Sequence, residues 1–303
     1  MIKKTLKIGK IGLFKVALPY LVIGSGKPAG LIVALQHGGE SASLLVIKQL
    51  IKEQKKLKGT AIIIPVANPF GQIFGQRNEI IESKDLNRSF PGNKNGDFTS
   101  RLACAIFALG KKSDFILDLH NFSRFSPVIA GFSSSQGKNQ KAVIKLLKIF
   151  NPEIVWETKP NQGEDKRFKG TLDEAFTNIN KPSIFVEMPN IFLVTAGQIA
   201  RVKKGILNVF KEFNRQTIKT KRKIPVFRQK YIYSDQAGIF APKVKPLEKI
   251  KKEGILGGLT LIPEFKEILI KSPYDGVVLT IKPQEVVRTG SKIGSLGEKQ
   301  NVL

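Results

Sequence analysis

The stretch Leu31-Ile-Val-Ala-Leu-Gln-His37-Gly-Gly-Glu40 decides the reading of this chain. It is a continuous apolar run, as a strand buried on both faces should be. It ends in a Gly-Gly turn, and the helix-patterned segment Ala42–Lys56 follows. A strand that turns at once into a helix is the building unit of an α/β sheet. His37 is one of two histidines in 303 residues, and the other, His120, closes a second apolar run, Phe115-Ile-Leu-Asp-Leu119. Two adjacent glycines let the backbone fold tightly and approach closely. Ligands of open α/β sheets collect at the carboxyl ends of strands. His37, Glu40 and His120 can therefore meet in one pocket, and two histidines and a carboxylate with water in the fourth position suit a catalytic zinc. Two hydrogen-bonded strand-end histidines would show the same spacing, so spacing alone leaves both readings open.

Working outward, strands are expected at Tyr20–Ile23, Leu31–Leu35, Ala61–Val66, Phe115–Leu119, Val128–Gly131 and Ser183–Glu187. Helices are expected at Ala42–Lys56, Thr99–Lys111, Lys138–Phe150 and Gly197–Arg215. The last carries Ile199, Val202, Ile206, Val209 and Phe213 on one face, with Thr195 and Gln198 as a capping box. Gln216–Lys223 turns polar and basic and reads as a linker. Beyond Pro225 the pattern changes to short β runs punctuated by Gly and Pro: Gly238–Phe240, Ile255–Gly258, Ile268–Ile270, Gly276–Ile281 and Ile293–Leu296. The expectation is a catalytic domain over 1–223 and a small all-β domain over 224–303.

Composition narrows the chemistry. The one cysteine, Cys104, excludes an intrachain disulfide framework and a thiolate zinc cluster. It lies in an apolar helical run, where a buried, inert thiol is expected. No run approaches the ~20 apolar residues of a membrane span. Met1-Ile-Lys-Lys opens like a signal peptide, but Lys7, Lys10 and Lys15 interrupt any apolar core, so a cytoplasmic protein is expected. The net charge of +26 raises an anionic partner, nucleic acid or a membrane surface. The lysines are spread along the whole chain, and neither an RNA-recognition pattern nor a zinc-finger spacing is present. Solvated lysine faces therefore account for the charge, and no specific nucleic acid is expected. Gly24-Ser-Gly-Lys27 lacks the earlier glycine of a phosphate loop and has Pro28 where Ser or Thr belongs. Gly131-Phe-Ser-Ser-Ser135 lacks the closing glycine of a nucleophile elbow.

Three further stretches carry candidates. Asn68-Pro-Phe-Gly-Gln-Ile-Phe-Gly-Gln-Arg77 and Asp85-Leu-Asn-Arg-Ser-Phe-Pro-Gly92 place arginines and asparagine in a turn-rich region. Arginine's planar fork fits a carboxylate, although a solvated loop with ordinary ion pairs reads the same. Glu187 finishes the apolar run Ser183-Ile-Phe-Val. Partial burial there raises a carboxyl pKa toward that of a general base; a strand-end glutamate facing solvent is the plainer alternative.

Taken in order, His-x-x-Glu, Asn-Pro with Arg, Asp-Leu-Asn-Arg-x-Phe-Pro-Gly, Asp-Leu-His and a strand-end Glu resemble the succinylglutamate desuccinylase/aspartoacylase family, the deacylase branch of the zinc carboxypeptidase-like fold. The resemblance runs from about Pro19 to Val194. It implies a three-layer α/β/α domain with a mixed sheet and one zinc ion per chain. It implies His37, Glu40 and His120 as ligands and Asp85 behind a ligand histidine. It implies Arg77 at the scissile carbonyl, Asn87 and Arg88 on the substrate's carboxylate, and Glu187 as general base. The implied activity is deacylation of an N-acyl amino acid or a similar small amide bearing a carboxylate.

Two departures bear on the substrate. Gly170–Pro182 holds no arginine, which argues against an acidic substrate of the N-acetylaspartate type. Pro189 stands where the family often has glycine. The tail resembles a lipoyl/biotinyl barrel through Lys271-Ser-Pro-Tyr-Asp-Gly-Val-Val278, but Phe265 falls at the acceptor lysine's place, so no lipoylation is expected. The tail is expected to rim the active site or to join copies of the chain in a homo-oligomer. A carboxypeptidase acting on short or cell-wall peptides is the alternative within the fold, and a polyanion-binding protein the alternative outside it.

Overall fold

The computed structural model describes residues 1–134, 140–213 and 222–303. At one edge of the main sheet, β1 (Ile2–Ile11) and β2 (Phe14–Gly24) form an antiparallel hairpin, and β2 pairs antiparallel with the interior. The interior strands β3 (Ala29–Ala34), β4 (Thr60–Ile64) and β5 (Phe115–Phe122) are parallel, with β3 between the other two. Next to them, β6 (Ile129–Ser133) and β7 (Ile154–Thr158) pair parallel. β8 (Ser183–Pro189) lies between β5 and β6, parallel to the first and antiparallel to the second. The sheet is mixed, as expected.

The helices sort onto two faces because the strand residues alternate. α1 (Ala42–Lys52) is followed by the short α2 (Pro69–Phe74) and by α3 (Phe98–Gly110); then come α4 (Gln140–Phe150), α5 (Leu172–Asn178) and α6 (Ala196–Phe213). Ile32, Ala34, Leu117 and Leu119 join the core formed with α1, α4 and α6. Leu31, Val33 and Ile116 join the core formed with α3 and α5. Val202, Ile206, Val209 and Phe210 of α6 are buried, each contributing about 1.5–3 kcal/mol. The Thr195–Gln198 capping box is present in both directions, at 3.0 and 3.2 Å.

Several boundaries differ from the sequence reading. The helix expected over Ala42–Lys56 stops at Lys52, because Glu53 leaves helical geometry, and a single 3₁₀ turn, Gln54–Lys56, follows. α3 starts one residue early because the Asp97 side chain accepts from the Ser100 amide and caps it. Cys104 is half-buried rather than buried. β1, β7, α2 and α5, and in the tail the strands Pro225–Tyr233, Lys249–Ile250 and Glu285–Val287, have no counterpart among the expected elements. β1 intersperses lysine among aliphatic residues, an edge-strand pattern. Lys138, Ser135, Arg215 and residues 216–221 of the expected linker lie outside the described residues.

The C-terminal strands build onto the main sheet. β9 (Pro225–Tyr233) pairs parallel with β7. β10 (Gly238–Pro242), β11 (Lys249–Ile250), β12 (Ile255–Leu261), β13 (Glu267–Lys271), β14 (Gly276–Ile281), β15 (Glu285–Val287) and β16 (Lys292–Val302) follow. β9-β16-β14-β11 extends the large sheet, and β13-β12-β10-β15 forms a second sheet. Phe240, Leu259, Ile281 and Ile293 belong to one buried cluster shared by the two sheets. Phe265 stands at the tip of the β12–β13 hairpin.

Candidate active site

The site forms where β3 and β5 end. Leu35, fully buried, takes the left-handed φ of 48°, a conformation that costs a non-glycine residue about 1 kcal/mol or more. It turns the chain so that Gln36 and His37 leave the strand direction. Gly38 then passes against α2: a Cβ there would lie 1.8 Å from the Gly71 carbonyl oxygen. Asn68 secures that contact by capping α2 at the Gly71 amide, 2.9 Å, and donating to the Gln36 carbonyl. On β5, the alternation that buries Leu117 and Leu119 in one core leaves Asp118 and His120 on the opposite face.

His37, Glu40 and His120 are all buried, with one ligand atom from each lying within 4.8 Å of the others. Both imidazoles turn Nδ1 to Glu40, at 2.6 Å from His37 and 3.0 Å from His120. Both Nε2 atoms meet an aspartate, Asp85 at 3.0 Å behind His37 and Asp118 at 2.8 Å behind His120. Asp118 is itself gripped by the Gln36 amide at 2.7 Å. With Nε2–H donated to each aspartate, the two Nδ1 lone pairs and the Glu40 carboxylate point at one another. That is the donor set of a divalent cation, each imidazole backed by a carboxylate. The cluster carries three carboxylates, a charge that a divalent ion offsets. The residues therefore fit a metal ion. Burial disfavours charge on Glu40 and Asp85, yet the two imidazoles hold Glu40, and His37 and Arg77 hold Asp85, well below the usual carboxylate range. Burial likewise opposes protonation of His37, but Glu40 and Asp85 outweigh it and raise its pKa.

The other expected residues surround this cluster. Arg77 donates through Nε and Nη2 to Asp85 Oδ2, at 3.1 and 2.8 Å, and also lines the pocket. Asn87 accepts from the Leu172 amide at 2.9 Å, and its Nδ2 lies 3.2 Å from His120 Nε2. Because that ring nitrogen gives its proton to Asp118, it cannot accept from Asn87, whose NH2 remains for the pocket. Arg88 stacks over Phe168, 5.5 Å from the ring centroid. Glu187 pairs with His120 across β5 and β8. Its Oε2 is buried without a hydrogen-bond partner among the described residues, and burial pushes its carboxyl up to about 7.

The pocket encloses about 420 Å³ and includes residues that sequence reasoning did not find. Arg124 follows His120 by four residues and stacks on Phe122, held by the two backbone hydrogen bonds of Phe125 with Ile281 of β14. Tyr231 of β9 has two cations over its ring, Arg167 at 4.2 Å and Lys292 at 3.4 Å from the centroid. Burial pushes its phenol up to about 12. Asp173, buried at the start of α5, accepts from Ser133 at 2.6 Å, and burial raises its pKa. Gly170–Pro182 contributes no arginine to the pocket; Arg77, Arg88, Arg124, Arg167 and Lys292 line it from other segments. Asp118 had a local signal, two residues before His120 on the same strand face. Tyr231 and Lys292 had none, since they reach the pocket through long-range pairing.

A mixed-sheet α/β/α domain with further C-terminal antiparallel strands is the zinc carboxypeptidase-like fold. Residues 27–213 match the succinylglutamate desuccinylase/aspartoacylase catalytic-domain model, and the chain belongs to that family. A similar curated protein is the N-alpha-acetyl-L-2,4-diaminobutyric acid deacetylase of Halomonas elongata, 28% identical over 142 residues, 45% of this chain. The match spans 42% of that protein, less than half its length. An aspartoacylase family protein from Mesorhizobium loti superimposes with a TM-score of 0.81 at 21% identity, over 99% of this chain and 95% of that one. The product-bound ectoine utilization protein EutE from Ruegeria pomeroyi also gives 0.81, at 20% identity, over 93% and 89%. At these identities the structural likeness speaks for the fold.

Proposed function

We propose that the protein is a zinc-dependent amide hydrolase that deacylates an N-acyl amino acid or a similar small amide bearing a carboxylate. The carrying observation is the buried His37–Glu40–His120 group with a carboxylate behind each imidazole. His37, Glu40 and His120 would hold the ion. When bound, zinc supplies Lewis acidity and brings hydroxide within reach of neutral pH.

The chain's own groups divide the remaining work. Asn87 Nδ2 and the Arg88 guanidinium take the substrate's carboxylate, fixing the amide over the cluster. Arg77 keeps Nη1 free of Asp85 and turns it to the carbonyl oxygen, where charge accumulates as the carbon becomes tetrahedral. Glu187 takes a proton from the attacking water at Oε2. It passes that proton to the amide nitrogen as the C–N bond breaks, so a free amine and a carboxylic acid leave. A pKa near 7 suits both directions of transfer. Asp85 and Asp118 keep the histidines oriented throughout.

A pocket of about 420 Å³ walled by Tyr231 and Lys292 supports a small amide over an extended peptide. The test joins metal analysis of the purified protein to a hydrolysis panel of N-acetyl and N-succinyl amino acids against short peptides. Stoichiometric zinc, with release of free amine from N-acyl amino acids that His120→Ala abolishes, is expected. A metal-free active protein, or hydrolysis confined to peptides, would overturn the reading.

A further inference from the structure

The β1–β2 hairpin ends in a two-residue turn, Gly12-Leu13, between the paired residues Ile11 and Phe14. Gly12 takes φ +55°, the glycine-favouring conformation of such turns. The turn's second position and the residue after it are ordinarily open to polar side chains. Here they are Leu13 and Phe14, 94% and 79% exposed. Directly below, Lys10 and Lys15 face each other across the strands, a like-charge pair that works against the hairpin. Lys3, Lys4 and Lys7 continue along β1, and the guanidinium of Arg101 donates to the Lys10 carbonyl, adding a further cation beside the tip. Residues 1–39 contain no Asp or Glu, and none of these five lysines is ion-paired among the described residues.

Lysines along an edge strand discourage strand pairing with other chains, which accounts for Lys3, Lys4 and Lys7. Edge protection does not account for an apolar pair standing in water over two opposed cations. We propose that this hairpin is a docking surface for an anionic lipid bilayer: Leu13 and Phe14 enter the interface, and Lys10 and Lys15 meet the headgroups. Peripheral proteins hold membranes by this pairing of apolar insertion with attraction to anionic lipid. A second copy of the chain is a poorer occupant, since apposed tips would bring lysine against lysine. Nucleic acid would use the cations but has no use for Leu13, which offers neither a hydrogen bond nor a stacking face. The hairpin packs on α3 through Ile8 and Leu18, away from the catalytic pocket, so the surface is independent of the proposed hydrolase chemistry.

The test is co-sedimentation of the full chain with phosphatidylcholine vesicles, with and without phosphatidylglycerol, at low and high salt. The wild type is expected to pellet with the anionic vesicles at low salt and to stay in solution with pure phosphatidylcholine. Leu13→Ser/Phe14→Ser is expected to lower partitioning about tenfold or more. Each of Lys10→Gln and Lys15→Gln should lower it about fivefold. Phe14→Trp, which keeps the tip apolar, should show a blue-shifted emission on anionic vesicles and serves if the serine variant folds poorly. Absence of wild-type pelleting, equal pelleting of the serine variant, an unshifted indole emission from Phe14→Trp, or tip-dependent binding to a single-stranded oligonucleotide tighter than to vesicles would each overturn the proposal.

Discussion

His120 and Glu187 occupy paired positions on the adjacent parallel strands β5 and β8. The register sets beside the His37–Glu40–His120 cluster a carboxyl whose Oε2 is buried without a hydrogen-bond partner among the described residues. Glu187→Gln should lower kcat about 10²–10⁴-fold with little change in KM, read from a full substrate titration.

The same carboxyl predicts a pH dependence. Its folded pKa, about 7, stands above the ordinary value of 4.5, so the unfolded chain loses this proton first as pH rises. The folded state is favoured below about 4.5, and that advantage is lost as pH passes through 7. In chelator-treated protein, Glu187→Gln should gain up to about 3 kcal/mol over the wild type at alkaline pH and nothing at acid pH. Urea unfolding at both pH values checks this; an equal gain at both would contradict the assignment of the buried charge.

Asp118 accepts from His120 Nε2 and from the Gln36 amide. Asp118→Ala should weaken metal affinity about 10–100-fold by freeing the imidazole. Competition with a chromophoric chelator measures it, and Asp85→Ala should act similarly through His37.

Gly38 and Gly39 are adjacent but not equivalent. A Cβ at Gly38 meets the Gly71 carbonyl at 1.8 Å, whereas at Gly39 the nearest atom is 3.9 Å away. Gly38→Ala should cost about 1–3 kcal/mol, as overpacking does, and displace His37. Gly39→Ala should be nearly silent. Thermal melts of the two variants side by side decide it, and equal losses would refute the close approach.

Arg124 lines the pocket with its Nε unpartnered among the described residues, its guanidinium stacked on Phe122 and its pKa lowered by burial. Arg124→Gln should raise KM about tenfold or more for substrates with a second anionic group and little for those with one. A KM series over N-acetyl and N-succinyl amino acids reads the difference.

The catalytic half of the fold was legible because its strands are buried on both faces. Continuous apolar runs such as Leu31–Leu35 and Phe115–Leu119 need no partner to be recognised. The edge strand β1 was not, since its lysines follow exposure rather than a core. Among the site residues, His37, Glu40, Asp85, Asn87, Arg88, His120 and Glu187 stood at strand ends or in the turns after them, where a local pattern carries meaning.

The sequence by itself determined the α/β class, the short β runs of the tail and the residue types available for a metal site, all properties of short segments. Only the tertiary structure decided which groups complete the pocket. Arg124 is set by a bridge from Phe125 to Ile281, and Tyr231 and Lys292 arrive because β9 joins β7 and β16 joins β9. Such pairings depend on register between segments far apart in the chain, and no local spacing encodes register.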